Sequence, residues 1–275
     1  MKKILDWENK EVVNIFDEVT LWSAPFGRLL LENMPMVVGA TIVDIGFGTG
    51  FPLIELSQLF GSKSKIYGID IWEEGINRTK EKIKTLEIAN IQIINESAIN
   101  IRIEDNQVDL VTSNLGVNNF EQKEKVYQEI KRILKEGGKL CLTTNPIGTF
   151  EELFEIFASI FKEMNLDQES NQLKDYIAHR NTQIGIVSEL EQYGFKLVKS
   201  KSDFTYLRFV DGEALLNHSL IRIGFRSSWE KMVREEYKES FFEKLIHRIN
   251  HLIATHGECK MTIPMLYLEF ENLSE

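Results

Sequence analysis

The chain has 275 residues, 43% hydrophobic and 27% charged, enough to bury a full α/β core and near the upper size for one domain. Its formal net charge of −10 and pI near 5.2, with Lys and Arg interleaved with Glu along predicted helices, argue against a nucleic-acid partner, whose phosphates call for clustered cations. No run of about eighteen apolar residues exists, and Met1-Lys2-Lys3-Ile4-Leu5 meets Asp6 before a signal-peptide core forms, so no membrane partner, a cytoplasmic location and reduced core cysteines at Cys141 and Cys259 are expected.

The run Thr41-Ile42-Val43-Asp44-Ile45 is strand-like and breaks directly into Gly46, Gly48 and Gly50. Glycines let backbone approach a ligand where a Cβ would collide, and Pro52 suits the first turn of the helix that follows. Dinucleotide enzymes usually carry G-x-G-x-x-G, whereas the spacing here is G-x-G-x-G with Asp44 two residues ahead. About twenty residues on, Lys65-Ile66-Tyr67-Gly68-Ile69-Asp70 reads as a second buried strand ending in a carboxylate that can accept hydrogen bonds from both hydroxyls of a ribose. Ile71 and Trp72 follow where they would wall an adenine. The plainer reading makes Asp70 a cap for the helix opening at Glu73-Glu74.

These motifs resemble those of class I S-adenosylmethionine (SAM)-dependent methyltransferases. The resemblance covers about residues 12 to 145. Upstream, Phe16-Asp17-Glu18-Val19-Thr20-Leu21-Trp22-Ser23-Ala24-Pro25-Phe26-Gly27, together with Gly50-Phe51-Pro52, looks like a bacterial subgroup of methyltransferase type 11 proteins. The resemblance implies a Rossmann-like α/β fold with a mostly parallel seven-stranded sheet, and SAM held by Asp44, Gly46, Phe47, Gly48, Gly50, Asp70, Ile71 and Trp72. A third strand, Ile91-Gln92-Ile93-Ile94, runs into Asn95-Glu96-Ser97-Ala98. Where the family commonly has an Asp for the adenine amino group, this chain places Ser97, with the Ala98 N–H beside it; a register one residue off gives the role to Glu96.

The fourth strand, residues 108–113, ends in Asn114-Leu115-Gly116-Val117-Asn118-Asn119-Phe120. In the family this end faces the sulfonium, which adds Asn114 and Leu115 to the cofactor set and makes Asn118 and Asn119 candidates for catalysis and acceptor binding. It is not the Asn/Asp-Pro-Pro-aromatic signature of amino-group methyltransferases, which counts against nucleobase and glutamine substrates. Ordinary turn chemistry is the competing explanation for these asparagines. A helix over 121–134, a glycine stop at Lys135-Glu136-Gly137-Gly138 and a strand over 139–144 complete the family segment, with Glu136 where Pro is usual.

The second half predicts a helix over 150–165, a polar stretch through 175–182, a helix over 185–193, a strand over 195–199 with an extension at 204–209, helices around 212–223 and 227–255, and an antiparallel last strand over 260–270. One domain over 1–275 is expected: an N-terminal cap (1–40), a SAM-binding core (41–145), and helical insertions (146–184 and 211–257) that leave carboxyl ends of strands and roof the cofactor. Phe16, Trp22, Phe26, Phe154, Phe157, Phe209, Phe225 and Trp229 either line a pocket for a small, partly apolar acceptor or form ordinary core. His179 and His218 are candidate proton acceptors, and Trp22, Arg180, Arg208 and Arg222 candidate substrate contacts. His247 and His251 lack an H-E-x-x-H or C-x-x-C companion, so no metal is expected. The expected activity is methyl transfer from SAM to a small molecule by in-line displacement. A non-catalytic SAM-binding sensor or structural protein on the same fold is the alternative, the glycine spacing disfavours an NAD enzyme, and a monomer and a homodimer both stay open.

Overall fold

The computed structural model describes residues 2–5, 10–16 and 20–273. Met1 and Asp6, and Asp17, Glu18 and Val19 of the N-terminal motif, lie outside the described residues. The strands are β1 (Thr41–Ile45), β2 (Lys65–Asp70), β3 (Ile91–Asn95), β4 (Val108–Asn114), β5 (Leu134–Thr144), β6 (Phe195–Phe209) and β7 (Cys259–Asn272). They form one sheet in the order β3-β2-β1-β4-β5-β7-β6. The pairs β1–β2, β1–β4, β2–β3 and β4–β5 are parallel, while β7 runs antiparallel to β5 with Leu142 opposite Leu268. The antiparallel final strand is therefore as expected. Strands β1 and β4 are buried almost throughout because both faces are covered, as in central parallel strands; β1 is largely apolar, whereas β4 ends in the buried polar residues Thr112, Ser113 and Asn114.

The helices are α1 (Lys10–Phe16), α2 (Thr20–Asn33), α3 (Leu53–Phe60), α4 (Glu73–Thr85), α5 (Lys123–Ile133), α6 (Glu151–Glu163), α7 (Asp167–Ala178), α8 (Gln183–Glu191), α9 (Gly212–Asn217), α10 (Ser219–Gly224), α11 (Arg226–Met232) and α12 (Glu235–His256). Several differ from expectation. Pro52 immediately precedes α3 instead of occupying its first turn. The segment expected as a glycine stop is the start of β5, where Gly137 takes φ +71 at an irregularity in the pairing with β4. The first half of the polar stretch, 175–178, is the end of helix α7, and β6 is one strand of 15 residues in place of two short ones. The last helical region breaks into four helices.

Packing divides the chain into two units. A sheet unit comprises Val13–Thr144, Thr182–Asp203 and Met265–Glu275. Its core joins Val43, Val111, Leu140 and Leu268 of the sheet to Tyr127 and Ile130 of α5 and Leu190 of α8. A helical unit comprises Met1–Val12, Asn145–Asn181 and Phe204–Pro264. In it, Trp229 is fully buried and meets Phe150, Phe154 and Phe157 edge-on and Phe225 stacked, and Phe241 joins Phe157 and Phe161. Phe154, Phe157 and Trp229 are thus the core of this unit and do not line a pocket: rings at helical spacing satisfy one another edge to face. The same unit buries Glu169, whose carboxylate accepts from Arg234 Nε at 2.7 Å, and ties down the N-terminal residues through Arg222 and Arg226, which donate to the carbonyls of Lys3 and Lys2.

Replacing Trp229 empties the centre of this cluster. Trp229→Ala should cost about 3–5 kcal/mol of unfolding free energy, measured by urea denaturation. A loss below about 1 kcal/mol would mean that the rings do not form a common core.

Candidate cofactor site

The strand order reverses between β1 and β4, and in an open α/β sheet the crevice beyond the carboxyl ends of such strands is where ligands bind. Leaving β1, the chain turns at Gly46 (φ +80), Gly48 (φ +56) and Gly50 (φ +106), conformations that side chains disfavour. Gly46 donates to the Ile69 carbonyl at 2.8 Å, and Gly50 to that of Phe47 at 2.9 Å. A Cβ on Gly46 would stand 3.0 Å from Cα of Gly116, and one on Gly116 would stand 2.7 Å from the Ile45 carbonyl oxygen. The two backbones touch, so both residues have to be glycine. Gly116 was not singled out in the sequence; its only signal is a glycine just past a strand end.

Asp70 closes one side of the loop. Its Oδ2 accepts from the Gly48 N–H at 2.7 Å and its Oδ1 from the Trp72 N–H at 2.9 Å. The carboxylate is therefore aimed by backbone, with acceptor capacity remaining on each oxygen for the two hydroxyls of a ribose. Trp72 packs near Gly48 and takes the edge of Phe16 at 5.6 Å, whereas Ile71 is 70% exposed. Ser97 is exposed and Ala98 buried, and Glu96, the alternative in that region, is paired with Arg102 at 2.8 Å.

Asp44 lies inside β1, opposite Gly68 on one neighbour and Thr112 on the other. The Thr112 hydroxyl donates to its Oδ1 at 2.7 Å, while its Oδ2 is buried and has no hydrogen-bond partner among the described residues. Burial pushes this carboxyl up from its ordinary 3.8 to about 7; the Thr112 hydrogen bond opposes the shift and the charge of Asp70 adds to it. A buried acceptor in this state demands a donor, better a cationic one.

At the end of β4, Asn114 bridges two elements: its Nδ2 donates to the Ser23 carbonyl of α2 at 3.1 Å, and its Oδ1 accepts from the Thr143 hydroxyl of β5 at 2.7 Å. Leu115 is held at φ +65 with its N–H on the Thr143 carbonyl, a strained conformation of the kind that collects at functional sites. A 3-10 turn, Gly116–Asn119, follows; Asn118 accepts from the Thr144 hydroxyl and Asn119 is exposed. Helix α2 meets the loop where Gly27 faces the Phe51 ring, with no room for a Cβ between them. Trp22, half-buried on the same helix, packs on Phe26.

The remaining candidates, His179, Arg180, Arg208, His218 and Arg222, belong to the helical unit. Arg208 is paired with Glu258, Arg222 donates to Lys3, and Arg180 lies over the Tyr176 ring at 5.2 Å. His179 is exposed. His218 has its Nδ1 buried and packs edge-on against Phe209, and burial lowers its pKa.

The model of the methyltransferase domain family matches residues 37–207. The chain belongs to this family. It is similar to the demethylmenaquinone methyltransferase of Geobacillus sp. (strain WCH70), 29% identical over 185 residues that make up 60% of this chain and 79% of the relative. That of Bacillus mycoides (strain KBAB4) is 33% identical over 116 residues, 42% of this chain and 49% of the relative. The crystal structure of a SAM-dependent methyltransferase from Aquifex aeolicus shares the fold with a TM-score of 0.53 and 21% identity, over 70% of this chain and 91% of that one. The protein is a SAM-dependent methyltransferase of the class I fold. Among the described residues, no helix is long and apolar enough to cross a membrane.

SAM fits the groups this methyltransferase places at the switch point. Its ribose diol suits Asp70, its amino-acid ammonium suits the Asp44 Oδ2, buried and unpartnered among the described residues, and backbone bare of Cβ at Gly46, Gly48 and Gly50 leaves space for close approach.

Because the folded-state pKa of Asp44 is raised, the native state holds this proton more tightly than the unfolded chain. The resulting stability is present below about pH 4 and lost as pH rises through about 7. The wild type should therefore lose stability relative to Asp44→Asn between those limits, read by urea denaturation of both proteins at each pH. A difference that stays flat would mean Asp44 is ionised throughout.

Proposed function

We propose that the enzyme methylates a small, uncharged or weakly polar acceptor that meets the sulfonium beside the Asn114 to Asn119 turn. The observation that carries this reading is the contact of Gly46 with Gly116, which sets the glycine loop and that turn side by side at one strand reversal. Methyl transfer is an in-line displacement: the acceptor's nucleophile forms a bond to the methyl carbon as the carbon–sulfur bond breaks, S-adenosylhomocysteine leaves, and any acceptor proton passes to solvent or a nearby base. Alignment supplies much of the rate of such a step. In this reading Asp44, Gly46, Phe47, Gly48, Gly50, Asp70, Ile71, Trp72, Ser97, Ala98, Asn114 and Leu115 address SAM. Asn118 and Asn119 address the acceptor.

Three features support a small acceptor. The turn after β4 has no Asn/Asp-Pro-Pro-aromatic sequence, the net charge is −10, and the relatives are named for demethylmenaquinone, a small molecule. Reduced naphthoquinones are accordingly the first acceptor class to try.

Asp70→Ala should weaken S-adenosylhomocysteine binding by roughly 1.5 to 3 kcal/mol, the cost of losing hydrogen bonds to a charged acceptor. Calorimetry that finds the variant equal to wild type removes Asp70 from the site.

With methyl-labelled SAM, label should enter organic-extractable small molecules, reduced naphthoquinones among those tried, and Asn118→Ala should lower its rate at least tenfold while leaving S-adenosylhomocysteine affinity near wild type. Label recovered only in RNA or protein would overturn the small-acceptor reading, and equal loss of rate and affinity would make Asn118 a structural turn residue.

A further inference from the structure

Helix α4 is strongly polar, Glu-Glu-Gly-Ile-Asn-Arg-Thr-Lys-Glu-Lys-Ile-Lys-Thr, yet Gly75, Thr79 and Lys82 recur at i, i+4 and i+7 and so share one face. That face meets the glycine loop. A Cβ on Gly75 would stand 2.9 Å from the Gly48 carbonyl oxygen, so the loop rests directly on the helix backbone. Thr79 is fully buried, with its hydroxyl 3.1 Å from the Gly48 carbonyl and 3.0 Å from that of Gly75. A Cβ on Gly50 would come within 3.2 Å of the Thr79 side chain. Lys82 donates from Nζ to the Thr49 carbonyl at 2.7 Å. Two successive carbonyls of the loop are thereby drawn toward α4. A trans peptide is planar, with its N–H opposite its C=O, so the Thr49 N–H is turned away from α4, while the Gly50 N–H closes the loop's own turn onto the Phe47 carbonyl at 2.9 Å. The ammonium on the Thr49 carbonyl also polarises that peptide and strengthens its donor, the Gly50 N–H, in the bond to Phe47 that closes the turn.

We infer that Thr79 and Lys82 are positioning residues for SAM: by holding the Gly48 and Thr49 carbonyls on the α4 side, they fix the shape of the glycine loop, with the Thr49 N–H turned from α4 and the Gly50 N–H closing the turn onto Phe47. The inference rests on the glycine loop being the SAM site. The plainer role for Thr79 is the bond to the Gly75 carbonyl, an ordinary back-bond within a helix, whereas the Lys82 bond to Thr49 leaves the helix for the loop.

The test compares Thr79→Val, which keeps the branched shape and removes the hydroxyl, Thr79→Ser, which restores it, Lys82→Met, and Lys80→Met on an exposed position of α4. S-adenosylhomocysteine affinity is measured by calorimetry, and the ligand-free melting temperature alongside. Thr79→Val and Lys82→Met should each weaken binding roughly threefold to tenfold with little change in melting temperature, while Thr79→Ser and Lys80→Met stay near wild type. If wild type binds and both Thr79→Val and Lys82→Met bind equally well, or if their affinity falls only together with melting temperature and Thr79→Ser rescues neither, α4 is scaffold and the inference fails although the SAM site stands. Failure of the wild type to bind S-adenosylhomocysteine removes the SAM site and the inference together.

Discussion

The contact of Gly46 with Gly116 is the constraint on which the rest of the site depends. Where neighbouring parallel strands send their connections in opposite directions, a crevice opens, and its floor here is two backbones with no side chain between them. The Ser113 hydroxyl, bonded to the Ile45 carbonyl at 2.9 Å, locks the same point. A side chain on either glycine would wedge apart the ends of β1 and β4, which are paired as far as Asp44 and Thr112. It would also disturb the bond that helps the Asp44 carboxylate. The left-handed Leu115 follows from this: a chain that leaves β4 so close to Gly46 has to turn at once, and Leu115 turns with its N–H on the Thr143 carbonyl.

From that floor the supports spread outward, and each joins the loop to a different element. Asp70 ties Gly48 to the end of β2, Phe51 seats α2 at Gly27, and Asn114 ties α2 and β5 to the end of β4. These bonds and contacts join groups of the chain itself, and a site ordered by its own chain strengthens affinity through preorganisation. The Asp70 carboxylate, held by the N–H groups of Gly48 and Trp72, cannot swing away to solvent.

What could be read in the sequence follows from how local its cause is. Strands β1 and β2 were legible to the residue, because central parallel strands are continuous apolar runs and their ends are marked by glycine or acid. The roles of Gly75, Thr79 and Lys82 were not, since nothing in a polar helix announces which of its faces touches a loop some thirty residues away. Helix α7 was lost for a related reason. Its sequence Asp-Gln-Glu-Ser-Asn-Gln-Leu-Lys-Asp-Tyr-Ile-Ala reads as a polar connection, and only Arg234, far along the chain, explains how Glu169 can be buried there. The continuity of β6 escaped notice because an edge strand alternates between exposure and burial and its charged middle looks like a break. The aromatic residues were ambiguous by composition alone; the ring geometry of Trp229 and its neighbours decides for core.

The helical unit is held by ion pairs of its own: Arg234 with Glu169, Arg208 with Glu258 and Arg226 with Glu230, while Arg222 donates to the Lys3 carbonyl. Removing Arg234 would leave the Glu169 carboxylate, whose side chain is 1% exposed, without its cation, a change that costs about 3–5 kcal/mol when both partners are buried and less here because Arg234 is 44% exposed. Removing Glu230 would in turn deprive the Arg226 guanidinium, 5% exposed, of its counter-charge. These pairs therefore act as a second, polar constraint beside the aromatic cluster: each buried charge is tolerable only while the helix that carries its partner stays in register.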